Sequence, residues 1–222
     1  MGKILKLFVL NSKNSDPNGY IFHALIRALC RRTDIQLHVV RSRDLKQIPI
    51  DPSNQSLLVY GGEELHQIPE EHLQRPFGRR AIWFTEDPYE VKRNQASARL
   101  FQAVFTNDSG SLEAYRAASY LPLAADPNFI PRRPHCVQEH LLFFSGTAWP
   151  NRKKLLSTLL ERWPNPETFD FHLVSNTFVE QQLCLQSSHQ NLRFEEPISI
   201  SDFCLRASNS LCTLVLYLRE MF

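Results

Sequence analysis

The chain has 222 residues, 43% of them hydrophobic, with 25 Lys and Arg against 23 Asp and Glu for a formal charge of +2. That length suits one or two cores at roughly 100–200 residues per domain, and the apolar content excludes a disordered chain. The cations are scattered rather than gathered into a stripe, which argues against a nucleic-acid binder. No apolar run reaches the ~18 residues of a membrane span. The start, Met1-Gly2-Lys3 before the strand-like run at 4–10, lacks a signal-peptide cleavage region and has Lys6 where myristoylation needs Ser or Thr. A soluble, cytoplasmic protein is expected.

Short apolar runs alternate with segments of helical period, the pattern of βαβ units feeding a parallel sheet. In chain order the predicted strands are 4–10, 35–40, 56–60, 81–85, 103–106 and a short 120–123. Between the first two, Ile21, Phe22, Leu25, Ile26 and Leu29 recur at three- and four-residue spacing over 20–32, so one face of a helix packs on the sheet. The loop 14–19 before it carries N-cap residues. Three prolines fall in the nine residues 126–134, which favours an extended connector. The boundary is placed there, between a first domain at 1–126 and a second at 137–222. The pattern restarts with strand 141–145, turn 146–150, helix 151–163, strand 169–174, helix 177–186, strand 192–194, helix 201–208 and strand 213–218. Two Rossmann-like α/β domains are expected. The second is expected to be incomplete, because four strands fall short of the usual five or six or so.

Cys30, Cys136, Cys184, Cys204 and Cys212 form an odd set with no C-x-x-C pair, which argues against a disulfide framework or a zinc site and predicts buried thiols. The eight His residues are dispersed without ligand spacing, so no metal is expected. His23, placed on the apolar side of the first helix, reads as a core or rim residue before it reads as a base.

In open parallel sheets ligands bind beyond the carboxyl ends of the strands, so polar residues just after predicted strands carry the most weight. Thr85-Glu86-Asp87-Pro88-Tyr89 follows the fourth strand, Thr106-Asn107-Asp108-Ser109 the fifth, and Ala124-Ala125-Asp126-Pro127 the sixth. Each also suits a helix cap or turn. Taken as a set, the three acidic strand ends would line one cleft. The second domain opens with Phe144-Ser145-Gly146-Thr147 and then Asn151-Arg152-Lys153-Lys154. A glycine turn before a cationic helix start suits an anion, since free N–H groups, a positive dipole end and a bidentate Arg all favour phosphate. An ordinary βα turn with a solvated basic face accounts for the same residues. Gly61-Gly62-Glu63-Glu64, after the third strand, serves a turn as readily as a ligand. No G-x-S-x-G elbow or Walker loop is present.

Read in order, Ile82 to Tyr89, Val104 to Asp108, Tyr120 to Pro127, Phe144 to Thr147 and Asn151-Arg152 resemble the CgeB-type spore-maturation proteins, glycosyltransferase-like proteins of the GT-B class. The resemblance runs from about Ala81 to Leu160 and more faintly to Arg219. It implies an acceptor-side first domain and a donor-side second domain for a nucleotide sugar, which is a substrate, so that no cofactor is called for. By the same resemblance Gly146, Thr147, Asn151 and Arg152 face the donor diphosphate, Glu86 or Asp87 is the catalytic base, and Asn107, Asp108 and Asp126 line the cleft. GT-B transferases usually stabilise the leaving diphosphate with protein cations and a helix N-terminus.

This sequence departs from the family by ending at Glu220-Met221-Phe222, before the Arg-x-x-Glu-like segment and glycine-rich turn that bind the donor in full-length relatives. A shortened second domain is therefore expected, with a homodimer or partner chain covering the edge at 199–222. The sugar transferase has two rivals. One is a non-catalytic module that keeps the fold to bind a glycan or a protein. The other is a flavodoxin-like or response-regulator-like domain, which would explain Asp87 and Asp108 as strand-end acids but calls for a strand-end Lys that is missing after the sixth strand.

Overall fold

The computed structural model describes residues 4–13, 19–124, 126–127, 138–174, 192–195 and 197–215. The chain divides into two compact units, Met1–Ala125 and Asp126–Phe222. In the first, β1 (Leu5–Asn11), β2 (Ile35–Val40), β3 (Gln55–Tyr60), β4 (Arg79–Phe84), β5 (Ala103–Thr106) and β6 (Ala118–Tyr120) form one sheet. Its order is β2-β1-β3-β4-β5-β6, and every neighbouring pair is parallel. The chain steps one way from β1 to β2 and then back across to β3, which opens a crevice at the carboxyl ends of β1 and β3.

Both faces of a parallel sheet need cover, so its strands are apolar on both sides. Phe8, Leu10, Leu57, Val59, Ile82 and Phe84 point to one core, and Val9, Tyr60 and Trp83 to the other. Helix α1 (Gly19–Cys30) covers the second core with Phe22 and, around it, Ile21, Leu25, Ile26 and Leu29. His23 is exposed, not on the apolar side, because it falls about 100° around the helix from Phe22. The first core is covered by short pieces. The 3-10 turn Ser42–Gln47 inserts Leu45, helix α2 (Glu70–Leu73) inserts Leu73, and Phe77, Phe101 and Tyr115 come from loops and turns. Helix α3 (Val91–Ala98) buries Asn94, a polar residue with a specific task at the site. Strand β6 ends three residues earlier than expected. Its ladder closes at Thr106↔Tyr120, and the Leu121 N–H makes a last bond to the Thr106 carbonyl at 2.8 Å.

The second unit holds β7 (His140–Thr147), α4 (Pro150–Arg162), β8 (Phe169–Val174), β9 (Leu192–Glu195), α5 (Ile200–Ser208) and β10 (Ser210–Thr213). Its sheet runs β10-β7-β8-β9, again all parallel. Phe144, Phe169, Phe171 and Leu173 pack against Leu156 and Leu160 of α4 on one face. On the other, Phe143 meets Phe203 of α5 edge to face, with ring centroids 5.3 Å apart. Helix α5 starts on Ser199, an N-cap whose hydroxyl accepts the Asp202 N–H at 3.0 Å and donates to the Asp202 carboxylate at 2.7 Å.

Strand β7 extends through Gly146 and Thr147, expected in a turn, because their backbones pair with Leu173 and Val174. Strand β10 starts at Ser210, three residues before the expected start at 213, and spans Ser210–Thr213. The chain leaves α5 at Asn209 and pairs at once with His140–Phe143. Cys30 and Cys212 are exposed and Cys204 half-buried, where buried thiols were expected. Cys30 ends α1, and Cys212 sits on an edge strand. Cys136, Cys184, the expected helix at 177–186, most of the 126–134 connector, the loop 14–18 and positions 216–218 lie outside the described residues. Among the described residues no helix is long and apolar enough to cross a membrane.

Candidate functional site

Four consecutive strands of the first sheet end together, and their next residues form a polar rim. The ladder bonds continue one step past the strands, from Ser12 N–H to the Tyr60 carbonyl, Gly61 N–H to Trp83 and Asn107 N–H to Phe84. Ser12 and Gly61 therefore lie side by side about 4.8 Å apart, level with Phe84, and Thr85 and Asn107 lie side by side one residue further along their strands.

Lys13, which follows β1, is buried at this rim, and its side chain is 6% exposed. Its ammonium lies 3.0 Å from both Glu63 Oε1 and Glu86 Oε1. Burial works against the charge, but hydrogen bonds and attraction from both glutamates outweigh it and hold Lys13 well above the ordinary lysine range. Gly61 turns the chain after β3 with a φ of 77°, a conformation glycine adopts freely. A Cβ there would lie 2.8 Å from Glu63 Oε2, 3.2 Å from Ser12 Oγ and 3.3 Å from Lys13 Cε, so these groups converge on one point. At Gly62 a Cβ would strike Asn94 Oδ1 at 2.5 Å and the Phe84 ring at 2.7 Å.

Adjacent in sequence, Glu86 and Asp87 have opposite surroundings. The Glu86 side chain is about one-third exposed and faces Lys13. Asp87 is buried, and its carboxylate accepts Asn94 Nδ2 at 2.9 Å, Thr106 Oγ1 at 2.7 Å and the Tyr115 hydroxyl at 2.8 Å. A carboxylate with three donors is a strong local anchor, and it precedes a cis Asp87–Pro88 peptide. Burial of Tyr115, then its bonds to Asp87, push the phenol above the ordinary tyrosine range. Asn107 is half-buried at the rim. Asp108 precedes the 3-10 turn Ser109–Ala114, where its carboxylate accepts Ser111 Oγ at 2.6 Å and its backbone carbonyl accepts the Ser111 N–H at 3.2 Å; its side chain caps no backbone N–H. Asp126 is half-buried in the connector.

In the second unit Gly146 and Thr147 end β7, and Asn151 and Arg152 stand in the first turn of α4. The Arg152 guanidinium reaches back to the Thr147 carbonyl at 3.3 Å and lies 5.9 Å over the Phe144 ring. A Cβ on Gly146 would come within 3.1 Å of Arg152 Nη1, so the glycine leaves room for that arm. The helix start offers fewer free N–H groups than the sequence suggests. Pro150 has none, and the Arg152 N–H is already bound to Asn151 Oδ1 at 2.8 Å. Lys153 is buried, and that burial lowers its pKa. Behind the strand end, Ser145 Oγ pairs with Nδ1 of the fully buried His172 at 3.0 Å. Among the described residues no group of three or more His, Cys, Asp and Glu could hold a metal ion.

Sequence reasoning passed over Lys13 and gave Glu63 little weight. The rule that singled out Glu86 and Asn107, polar residues just past a strand, applies equally to Ser12-Lys13 after β1. The pairing itself joins residues 73 positions apart, beyond local pattern.

Two parallel sheets of six and four strands make an α/β protein of two Rossmann-like units, a GT-B-like fold. No family model matches the sequence, and no curated protein matches it significantly. Solved structures do match. One is S. aureus MnaA with UDP, at TM-score 0.58 and 12% identity, with 95% of this chain and 73% of that chain covered. Another is the UDP-GlcNAc 2-epimerase of Neisseria meningitidis bound to UDP-GlcNAc, at TM-score 0.54 and 12% identity, covering 95% of this chain and 77% of that one. At that identity the likeness is one of fold.

Proposed function

We propose that the protein binds a nucleotide-activated sugar and transfers the glycosyl group to an acceptor, as the resemblance to CgeB-type proteins implies. The observation that carries this reading is the fold match over 95% of the chain to two proteins solved with UDP or UDP-GlcNAc. In this reading the donor diphosphate lies at the end of β7 and the start of α4, against Gly146, Thr147, Asn151 and Arg152. Its oxygens displace the Asn151 side chain from the Arg152 N–H. Arg152 and the helix N-terminus take up the negative charge that grows as the bond between the anomeric carbon and the diphosphate breaks.

The acceptor oxygen forms the new bond to that carbon and gives up its proton. Glu86 is the base in this proposal: its carboxylate is partly exposed and oriented by Lys13, whereas the oxygens of Asp87 are taken by three donors. Asp87 holds the turn that presents Glu86. Asn107, Asp108 and Asp126 complete the proposed sugar-handling residues, with Asn107 at the rim itself.

The test is a thermal-shift titration with UDP, GDP, UDP-glucose and GDP-mannose, with Arg152→Ala as comparison. A ligand at a hundred times its Kd stabilises by about 2.7 kcal/mol, a shift of several degrees. Saturable stabilisation that Arg152→Ala weakens at least tenfold is expected. The absence of a shift with all four nucleotides, or an equal shift in the variant, overturns the donor-site assignment.

A further inference from the structure

Between the first sheet and the segment leading from β2 to β3 lies a cavity of about 480 Å³, a size within the range of small-molecule sites. Its floor comes from one face of three strands. Lys6 and Gln55 are register partners on β1 and β3, and two residues further along β1 Phe8 pairs with His38 of β2. Ile48 and Pro49 make the outer wall. That wall is fixed in place: Leu45, three residues earlier, is fully buried, and Arg75 donates to the carbonyls of Leu45 and Ile48, the second at 2.7 Å.

The polar groups of the lining are unused. Gln55 is 8% exposed, and its Oε1 accepts the Asp51 N–H at 3.0 Å, which orients the amide; among the described residues its N–H2 group has no partner. Nor does the Lys6 ammonium have a hydrogen bond or ion pair there. His38 stacks on Phe8 with ring centroids 4.9 Å apart, yet its Nε2 is buried and without a partner among the described residues. Buried polar atoms are nearly always paired, so an amide donor, an ammonium and an orphaned imidazole nitrogen around one cavity mark a place where a ligand completes them. Asp44, an exposed member of the lining, has the Arg43 guanidinium 3.8 Å away, which leaves Lys6 as the unmatched charge.

These groups define the ligand. An ammonium and an amide N–H2 carried on adjacent strands, about 4.8 Å apart at the backbone, match the two oxygens of a carboxylate. Phe8, Ile48 and Pro49 call for a flat apolar body. The Lys6–Gln55 and Phe8–His38 pairs are two residues apart along β1, or about 6.6 Å, the span of an aromatic ring joined to a carboxylate through two methylenes. His38 Nε2 donates or accepts according to its tautomer, and a hydroxyl on the ring serves either.

We propose that this cavity binds an aromatic monocarboxylate with a ring hydroxyl, its carboxylate held by Lys6 and Gln55, its ring against Phe8, Ile48 and Pro49, and its hydroxyl on His38. The site is independent of the glycosyl-transfer reading, because it lies in the amino-terminal half of the strands, whereas the polar rim follows their carboxyl ends.

Saturation-transfer NMR titrations of the full chain with 3-(4-hydroxyphenyl)propionate, 3-phenylpropionate and tyramine test it, since millimolar binding is visible by that method. The hydroxyphenyl acid is expected to bind at least threefold more tightly than the phenyl acid, which lacks the hydroxyl. It should bind at least tenfold more tightly than tyramine, which keeps the phenol and reverses the charge. Lys6→Met, which keeps most of the stem, should weaken it at least fivefold, with Lys6→Gln as a second variant. His38→Phe retains a ring beside Phe8 and should bring the ratio between the two acids below twofold. Absence of binding by the hydroxyphenyl acid, tyramine binding as tightly, equal binding in both Lys6 variants, or an unchanged acid ratio in His38→Phe overturns the proposal. The three compounds on the unaltered chain decide it even where a variant folds poorly.

Discussion

Replacing Tyr115 by Phe removes one hydroxyl from the Asp87 anchor and nothing else. The hydroxyl lies 2.9 and 2.8 Å from the two carboxylate oxygens, while the ring stacks on Phe84 with centroids 5.2 Å apart. That stacking survives the change, and no cavity forms, because phenylalanine fills the same volume. A hydrogen bond to a charged group contributes roughly 1.5–3 kcal/mol, and Asp87 keeps Thr106 and Asn94 as donors. The loss should therefore fall near the lower end, about 1.5–2 kcal/mol. Urea unfolding followed by fluorescence reads it as a lower midpoint at an unchanged slope. Asp87→Ala is the harsher partner. It strands three donors at about 1–3 kcal/mol each and should cost more than ~4 kcal/mol. A Tyr115→Phe loss below about 0.5 kcal/mol would refute the reasoning, since it would mean that water reaches Asp87 and already satisfies it.

Other outcomes follow from the same geometry. Gly62→Ala drives a methyl into Asn94 Oδ1 and the Phe84 ring and should destabilise by about 1–3 kcal/mol in a thermal melt. Leu156→Ala, at a fully buried position in α4, should cost about 2–5 kcal/mol by denaturant titration. The Lys13 pKa is higher in the folded chain than its unfolded value of about 10.4, so its stabilisation is complete below that pH and fades as pH rises through the folded value. Between pH 6 and 9 the Lys13 contribution should be constant with pH, and Lys13→Met should flatten the decline above about pH 10. A variant as steeply alkaline-sensitive as the parent would remove the ion-pair argument.

Much of the fold was legible because the strands are short apolar runs between breakers. The strands at 35–40, 103–106 and 169–174 were read to the residue, and the first helix announced itself through the spacing of Phe22, Leu25 and Leu29. Boundaries set by pairing were not legible. Gly146 looks like a turn residue but takes its conformation from Leu173 beside it, and β10 begins where α5 releases the chain. Helix α3 was missed because its stretch, VKRNQASA, carries almost no apolar stripe, and its buried side is the single Asn94. At the site, residue type and position pointed to Glu86, Asp87 and Asn107 together. Burial, which no local pattern encodes, separates the anchored Asp87 from the accessible Glu86. The Lys13 cluster depends on contacts across 50 and 73 residues and is visible only once the strands are in order.

The position of β7 has a consequence for how the protein is made. It is an inner strand of its sheet, flanked by β8 and by β10, the last of the described strands in chain order. The first sheet is complete once Tyr120 has emerged, whereas one side of β7 stays unpaired until Thr213 follows. At about 5–20 residues per second, translation of the residues between Thr147 and Thr213 leaves that edge open for about 3–13 seconds. Throughout this interval a nascent chain with a finished first unit displays an unsatisfied strand to every other ribosome nearby. Pairing between neighbouring nascent chains, rather than failure of either finished core, is the hazard this topology builds into synthesis, and slower translation past residue 147 lengthens it.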